Sequence, residues 1–483
     1  MKRRLTSAQT MRKQLLNTCA VVIAAALLAG CSMIPDYERP AAPVPVAWPQ
    51  GGAYGNAASV AAPLWADVAW KDFFVDPALQ KLIQQALDNN RDLRAAALAV
   101  EQARAAYRVS EADRLPTVNA GGSQSASRTP ADLSRSVPAR AETARTYNAN
   151  LGVTAFELDL FGRVRSLNEQ ALEQFLATEE ARNATQISLI AEVANAYLTL
   201  LGDLKLLALT EETLRSREAS LNLIRRSFQQ GVGSELDVAQ AQSAVETARA
   251  ARQQYLRAVE QDKNALALLA GGPVDAAAPK GDLNRLRFIE DLPAGLSSDV
   301  LLRRPDIVQA EHTLKAANAN IGAARAAFFP TISLTAALGT ASPTLSGLFA
   351  AGSGAWSFAP AVSLPIFDGG RNQANLDSAL AGKDIAVAQY EKAIQSAFRE
   401  VADGLAAKGS LAEQLKAQTA LAAAYRTSLR LSQARYDRGV DSYLNVLDAQ
   451  RSLYGAQQEQ VAIEVARLTN LVTLYKALGG GRS

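Results

Sequence analysis

Two copies of one short segment decide the fold. "GVDSYLNVLDAQ" occupies Gly439 to Gln450, and "GVGSELDVAQAQ" occupies Gly231 to Gln242. In each copy the first Gly follows a long helical pattern, where a glycine after the C-cap adopts left-handed backbone angles at little cost. Ser234 and Ser442 are suited to cap the helices that follow, and Asp237 completes a capping-box pattern that the second copy matches less well. Each segment therefore predicts the tip of a helical hairpin.

The sequence on both sides of these tips is helical on an unusual scale. Two stretches, 163–229 and 371–438, contain no proline. At about 1.5 Å per residue, each stretch of roughly 65 residues would form a helix about 100 Å long. Parts of both stretches carry apolar residues at heptad-like spacing, which is typical of coiled coils. Such helices cannot form a globule alone, so we expect them to pack side by side.

Two regions have a period of two instead. Alternation in 147–155, 331–338 and 356–366 places apolar side chains on one face of each strand and polar or small ones on the other. With the weaker partner strand in "PTVNAGGSQSAS", these segments predict two β-hairpins, at 115–157 and 330–367. The sheet would either cover a soluble core or separate lipid from water. Because four strands cannot close a barrel and open edges do not occur in lipid, a membrane sheet would require an oligomer.

The tips lie at matching places in the two halves of the chain, which predicts an internal two-fold repeat. Together, the long helices and the two short hairpins predict a mainly α fold with a small β part. The predicted order is a signal peptide at 1–30, a lipidated N-terminal tether at 31–75, a first repeat at 76–290 and a second repeat at 291–483. The first repeat contains a helix, the hairpin 115–157, a long helix 163–229 and a helix 234–270; the second contains a helix 305–328, the hairpin 330–367, a long helix 371–438 and a helix 442–478.

The N-terminus predicts export and lipidation. Basic residues lead into "CAVVIAAALLAG", an apolar run that is too short to span a bilayer and has the proportions of a signal peptide. "LAGC", at Leu28 to Cys31, resembles the lipobox of bacterial lipoproteins, in which cleavage leaves the cysteine acylated. An ordinary signal peptide with a chance cysteine is the alternative. Ser32 follows the cysteine, which in lipoproteins of this kind favours the outer membrane.

Composition argues against several other functions. The net charge is +3, and five basic residues lie before residue 31, so the remaining chain is nearly neutral and nucleic-acid binding has little support. His312 is the one histidine, which argues against most zinc sites and His-based catalysis. "RRPDI", at Arg303 to Ile307, could suggest a catalytic pair, but Pro305 and Asp306 fit the first turn of a helix better. We expect neither an enzyme nor a cofactor or metal.

The sequence resembles the outer-membrane factor family, the TolC-like exit ducts of Gram-negative bacteria. The resemblance covers essentially the whole mature chain. Besides Cys31 and "LYKALGGG" near the end, it is carried by "LLRRPDIVQAEHTLKAANANIGAARAAFFPTISL" (Leu301–Leu334), "LPIFDGGR" (Leu364–Arg371) and "YDRGVDSYLNVLDAQRSLY" (Tyr436–Tyr454). These segments are most similar to the lipoprotein branch that serves resistance–nodulation–division multidrug efflux pumps.

The resemblance implies a homotrimer in the outer membrane. Four strands from each chain would form one twelve-stranded β-barrel, and the long helices would form a hollow α-barrel through the periplasm. Such a duct conducts passively, and a periplasmic adaptor (membrane fusion) protein and an inner-membrane transporter complete the pump. A duct for protein or metal-ion export and a non-transporting coiled-coil lipoprotein are the alternatives.

The resemblance also implies roles for residues at the tips. Leu444 and Asp448 match the constriction of the family, and Tyr436 and Arg435 match the partners that hold the closed state. Asp448 stands where the first copy has Gln240, and a solvated helix face is its alternative interpretation. Turn chemistry supports only chain reversal at the tips, but the resemblance adds contact with the adaptor at Gly231, Val232, Ser234, Gly439, Val440 and Ser442.

Overall fold

The computed structural model describes residues 32–54, 65–134, 138–274, 283, 286, 288 and 297–481. The predicted signal peptide and Cys31 lie outside the described residues.

The described chain is mainly helical with one small sheet, which confirms the predicted fold class. The elements in chain order are α1 (Trp70–Phe73), α2 (Pro77–Asn89), α3 (Arg91–Ala112), β1 (Val118–Thr129), β2 (Glu142–Glu157), α4 (Arg163–Gln229), α5 (Glu235–Leu269), α6 (Pro305–Ala326), β3 (Thr331–Ser342), β4 (Gly354–Ser363), α7 (Arg371–Asp437) and α8 (Tyr443–Ala477). The duplication is visible in the helix lengths, since α4 and α7 each have 67 residues and α5 and α8 each have 35.

The four strands form one antiparallel sheet in the order β1-β2-β3-β4. Its central pair, β2 and β3, joins the two sequence halves. The register pairs Leu151 with Leu338 and Leu338 with Trp356, so the apolar positions of three strands form one continuous face. Leu151, Leu338 and Trp356 are 59%, 71% and 77% exposed. The sheet therefore presents an uncovered apolar face.

A β-bulge in β2 corrects one detail of the predicted alternation. Strict alternation places Ala155 on the apolar face after Val153. The structure instead pairs Val153 with Ala336 and Phe156 with Leu334, because an extra residue enters β2 between them. Ala155 occupies the bulge with φ 51°, and its N–H donates to Thr335 Oγ1 at 3.0 Å. The bulge moves the larger Phe156 onto the apolar face.

The described part of the chain forms two compact units, and each draws on both predicted repeats. One consists of residues up to Pro40, Glu101–Ala177 and Glu311–Gln389, and it contains the sheet. The other consists of Ala41–Val100, Thr178–Ala310 and Tyr390–Ser483, and it contains both tips.

The core of the second unit is aromatic. Phe73 stacks on Tyr475 with ring centroids 4.0 Å apart, and Trp65 and Phe74 pack around them. The Tyr475 hydroxyl donates to Val68 O at 2.6 Å, which satisfies its buried polar group.

The N-terminal residues 32–46 have no helix or strand, and the segment packs against the protein. In the first unit, Arg39 forms a bidentate ion pair with Glu311, whose side chain is 6% exposed. In the second unit, Trp48 stacks on Phe398 at 4.7 Å. Among the residues described here, this segment therefore has fixed attachment points.

The "RRPDI" segment starts α6 with Pro305, as the sequence predicts. Arg304 precedes it, and only 7% of its side chain is exposed. Its guanidinium donates to Asp306 at 2.7 and 3.0 Å, to Glu400 at 2.9 Å and to the carbonyl of Ala477 at 2.7 Å. On the same helix, His312 Nδ1 lies 2.5 Å from Glu173 Oε2. These contacts are structural.

Candidate functional site

Both hairpin tips end their long helix with the same backbone motif. Gly231 and Gly439 have φ values of 74° and 73°, in the left-handed region that glycine adopts without strain. The motif consists of two hydrogen bonds in each tip: Gly231 N–H to Phe228 O (2.9 Å) and Val232 N–H to Ser227 O (2.9 Å), then Gly439 N–H to Tyr436 O (2.8 Å) and Val440 N–H to Arg435 O (2.9 Å). This is the Schellman pattern, and it confirms the predicted role of both glycines.

The two tips differ at the start of the next helix. Ser234 forms the predicted capping box, because Asp237 N–H donates to Ser234 Oγ at 3.2 Å and Ser234 N–H donates to Asp237 Oδ2 at 3.1 Å. Ser442 occupies the N-cap of α8, but its side chain makes no capping hydrogen bond, so the predicted side-chain cap is wrong there. Asn445, at the position of Asp237, donates its backbone N–H to the carbonyl oxygen of Ser442 at 3.2 Å.

Arg435 holds the second tip across its turn. Its Nε and Nη2 donate to the two carboxylate oxygens of Asp441 at 2.5 and 3.1 Å. This hydrogen bond, with the charge of Arg435, holds the pKa of Asp441 below its usual value. Arg435, which the resemblance assigns to holding a closed state, therefore forms an ion pair within its own tip in this chain.

Tyr436 packs where the two hairpins meet. Its ring lies 5.4 Å from that of Tyr443, beside a buried apolar cluster: Leu221, Ile224, Ala241, Val245, Tyr443 and Val446. Burial raises the pKa of Tyr436, and the carboxylates of Asp237 and Asp437 raise it further. Asp237 belongs to the first tip and Asp437 to the second, so carboxylates of both tips raise the pKa of Tyr436. The helical spacing of the cluster's members in α5 and α8 is a sequence signal for this contact.

Leu444 and Asp448 lie on the accessible side of α8, where Leu444 is 50% exposed. Asp448 forms an ion pair with Arg451, 2.9 Å away and one helical turn further on. Both Leu444 and Asp448 line a cavity of about 500 Å³, and Gln240 of α5 lines it as well. Gln240 and Asp448, which occupy equivalent positions in the two repeats, therefore line the same cavity.

Arg217 of α4 also lines this cavity, and sequence reasoning missed it. It is 7% exposed, donates from Nη1 to Ala244 O at 2.8 Å, and its guanidinium carbon lies 5.6 Å from the centre of the Tyr454 ring. Burial lowers its pKa, while the nearby Tyr454 and Tyr443 oppose that shift. One arginine among several in a long helix carries no sequence signal of this kind.

Among the residues that the structure describes, no group of three or more His, Cys, Asp or Glu could hold a metal ion. A four-stranded sheet with an exposed apolar face and paired helices of 67 and 35 residues define a subunit of a TolC-like outer-membrane channel.

Comparison with known proteins gives the particular family. The family model for "Outer membrane efflux protein" matches residues 82–272 and 296–480. The chain is 54% identical over 476 residues to the toluene efflux pump outer membrane protein TtgC of Pseudomonas putida, covering 98% of this chain and 96% of the relative. The chain belongs to the outer membrane efflux protein family.

Solved structures agree with this assignment. A crystal structure of a membrane protein from Pseudomonas aeruginosa matches with a TM-score of 0.86 and 48% identity, covering 93% of this chain and 100% of that one. The open state of the MtrE outer membrane channel from Neisseria gonorrhoeae matches with a TM-score of 0.84 and 42% identity, covering 93% and 98%. The chain is an efflux channel protein that spans the outer membrane and extends into the periplasm.

Proposed function

We propose that this chain is the outer-membrane exit duct of a tripartite multidrug efflux pump. It conducts drugs and other small molecules passively from the periplasm to the exterior, and organic solvents are among the candidate substrates because one relative is named for toluene efflux. The main support is the sheet, whose apolar face is exposed and whose order leaves β1 and β4 as its edges.

The edges support a homotrimer. Unpaired strand edges are not stable in hydrocarbon, so β4 of one copy must pair with β1 of the next. Three copies of four strands give an even-numbered, twelve-stranded barrel, within the range of outer-membrane barrels. We expect isolated outer membranes to yield trimers that dissociate on heating. When cysteines replace residues of β1 and β4, we expect disulfides to form only between chains. Monomers in native membranes would contradict it.

The tips support docking to a periplasmic adaptor protein. Val232 and Val440 occupy equivalent turn positions and are 83% and 60% exposed, although both are apolar. Exposed apolar residues at the ends of two hairpins form a surface suited to protein contact. An inner-membrane resistance–nodulation–division transporter would supply the energy, and the duct itself would need neither catalysis nor a cofactor. Acylation at Cys31 would add an anchor, which palmitate labelling of wild type and C31S tests.

Leu444 and Asp448 are the proposed gate, held by Arg435 and Tyr436. In a trimer, the equivalent side chains of three subunits would form stacked apolar and acidic rings, and like charges that face each other across a narrow pore repel. Replacing Asp448 with alanine should therefore raise single-channel conductance in planar bilayers and reduce cation preference. E235A is the control, because Glu235 is an exposed carboxylate of the first tip outside this ring. Unchanged conductance in D448A would contradict the gate.

A deletion strain tests the cellular role. Wild-type complementation should restore resistance to antibiotics, dyes and organic solvents, whereas sensitivity to metals alone would favour the metal-export alternative.

A further inference from the structure

The cavity beside the proposed gate has the features of a ligand site, and we call it the tip cavity. Its volume of about 500 Å³ falls within the range of small-molecule pockets. α5 and α8 supply most of its wall, and α4 contributes Arg217.

The charge in the tip cavity is not balanced. Its ionisable lining residues are two arginines and one aspartate, and Asp448 is already paired with Arg451 at 2.9 Å. Arg217 has no carboxylate within ion-pair distance among the described residues. Its hydrogen bond goes to the neutral carbonyl of Ala244, and its Nε–H is buried without a partner. A buried guanidinium without an anion is costly, so this site favours a negative charge.

The rest of the wall is amphipathic. Leu444 and Leu447 provide apolar surface, while Gln240 and Thr247 provide polar groups. Gln450 also lines the cavity, and its buried Oε1 has no donor among the described residues, which suits a hydrogen-bond donor on the ligand rather than its anionic head. One part of the cavity therefore suits an anionic head and another suits an apolar body.

We propose that the tip cavity binds a small amphiphilic organic carboxylate, whose carboxylate pairs with Arg217 and whose body packs against Leu444 and Leu447. The planar guanidinium matches the geometry of a carboxylate, and one negative charge would neutralise the lining. This site goes beyond the proposed function, because neither passive conduction nor an acidic gate requires it.

The test uses three probes of similar shape that carry an anionic, a neutral or a cationic group on the same ring: 4-fluorobenzoate, 4-fluorobenzamide and 4-fluorobenzamidine. Binding to the purified full-length protein in detergent is followed by fluorine NMR line broadening at increasing probe concentration. The anion should bind saturably, and the neutral amide and the cation should bind at least tenfold more weakly. Equal binding of anion and amide, or no saturable binding of the anion, overturns the proposal.

Two variants place the probe in the cavity. R217Q removes the guanidinium and should weaken 4-fluorobenzoate binding tenfold or more, which corresponds to about 1.4 kcal/mol. A244L fills the space beside Arg217, keeps the carbonyl that Arg217 uses, and should also abolish binding. R249Q is the control, because Arg249 is a half-exposed arginine of α5 paired with Glu218 and Glu246. Binding that R217Q leaves unchanged, or that R249Q weakens equally, overturns the proposal.

Discussion

Adjacent arginines in "RRPDI" allow a direct test of which side chain stabilises the second unit. Arg304 is buried and makes four hydrogen bonds, to Asp306, Glu400 and the carbonyl of Ala477. Arg303 forms an ion pair with Asp67, and more than half of each side chain is exposed. The test replaces each arginine with methionine, which keeps most of the volume and so limits cavity effects.

The structure predicts very different costs. Removing one partner of a buried ion pair costs about 3–5 kcal/mol. The side chains of Asp306 and Glu400 are 43% and 42% exposed, so water can solvate them once Arg304 is removed. The lower end of that range, about 3 kcal/mol, is therefore expected for R304M. The exposed pair of Arg303 is worth about 0–1 kcal/mol, so R303M should be nearly neutral.

Guanidinium unfolding of the detergent-solubilised protein measures both variants. Tryptophan fluorescence reports mainly on this unit, because Trp65 and Trp70 are buried in it, whereas Trp356 in the other unit is already exposed. Midpoints are converted to free energies with a common slope, provided that the slope does not change between variants. Free energies for R304M and R303M within about 1 kcal/mol of each other would refute the assignment of Arg304 as a buried structural anchor.

Two further predictions concern the tips and the response to pH. S234A should lower stability by about 1 kcal/mol through loss of the capping box, whereas S442A should change little, and the same unfolding assay gives the difference; equal effects would contradict the observed caps. Burial, with the charge and hydrogen bond of Asp203, raises the pKa of Asp262 from 3.8 to about 6. Because a raised pKa in the folded state favours the protonated form, its contribution is full below the unfolded pKa and is lost as pH rises through about 6. Wild type should therefore lose about 1 kcal/mol of stability between about pH 4 and about pH 7, after allowance for solvent exposure, and D262N should not; an unchanged pH dependence in D262N would contradict it.

The sequence predicted the order of helices and strands because those elements depend on local patterns. Period-two alternation located the strands, and the absence of proline over 163–229 predicted a helix that the structure places at Arg163–Gln229. Gly231 and Gly439 were predictable because only their backbone conformation mattered. Ala155 was misplaced because a bulge depends on the register of the neighbouring strand, which one strand's pattern does not contain.

The candidate site was predicted less completely. Leu444 and Asp448 were reached through the family resemblance, but the pairing of Arg435 with Asp441 was not, because its six-residue separation crosses a turn. The Ser442 side chain makes no capping hydrogen bond because the Asn445 N–H donates to the Ser442 carbonyl oxygen, a choice of acceptor that only coordinates reveal.

The sequence by itself determined that this is a duplicated chain of long helices with two helical tips and two hairpins. Repeats, turn chemistry and periodicity are local properties that a single chain records. Tertiary structure alone decided that Gln240, Asp448 and Arg217 line one cavity, because three helices that are distant in sequence must first pack together. It also decided that Arg217 is buried without a carboxylate, since burial and charge balance depend on neighbours in space.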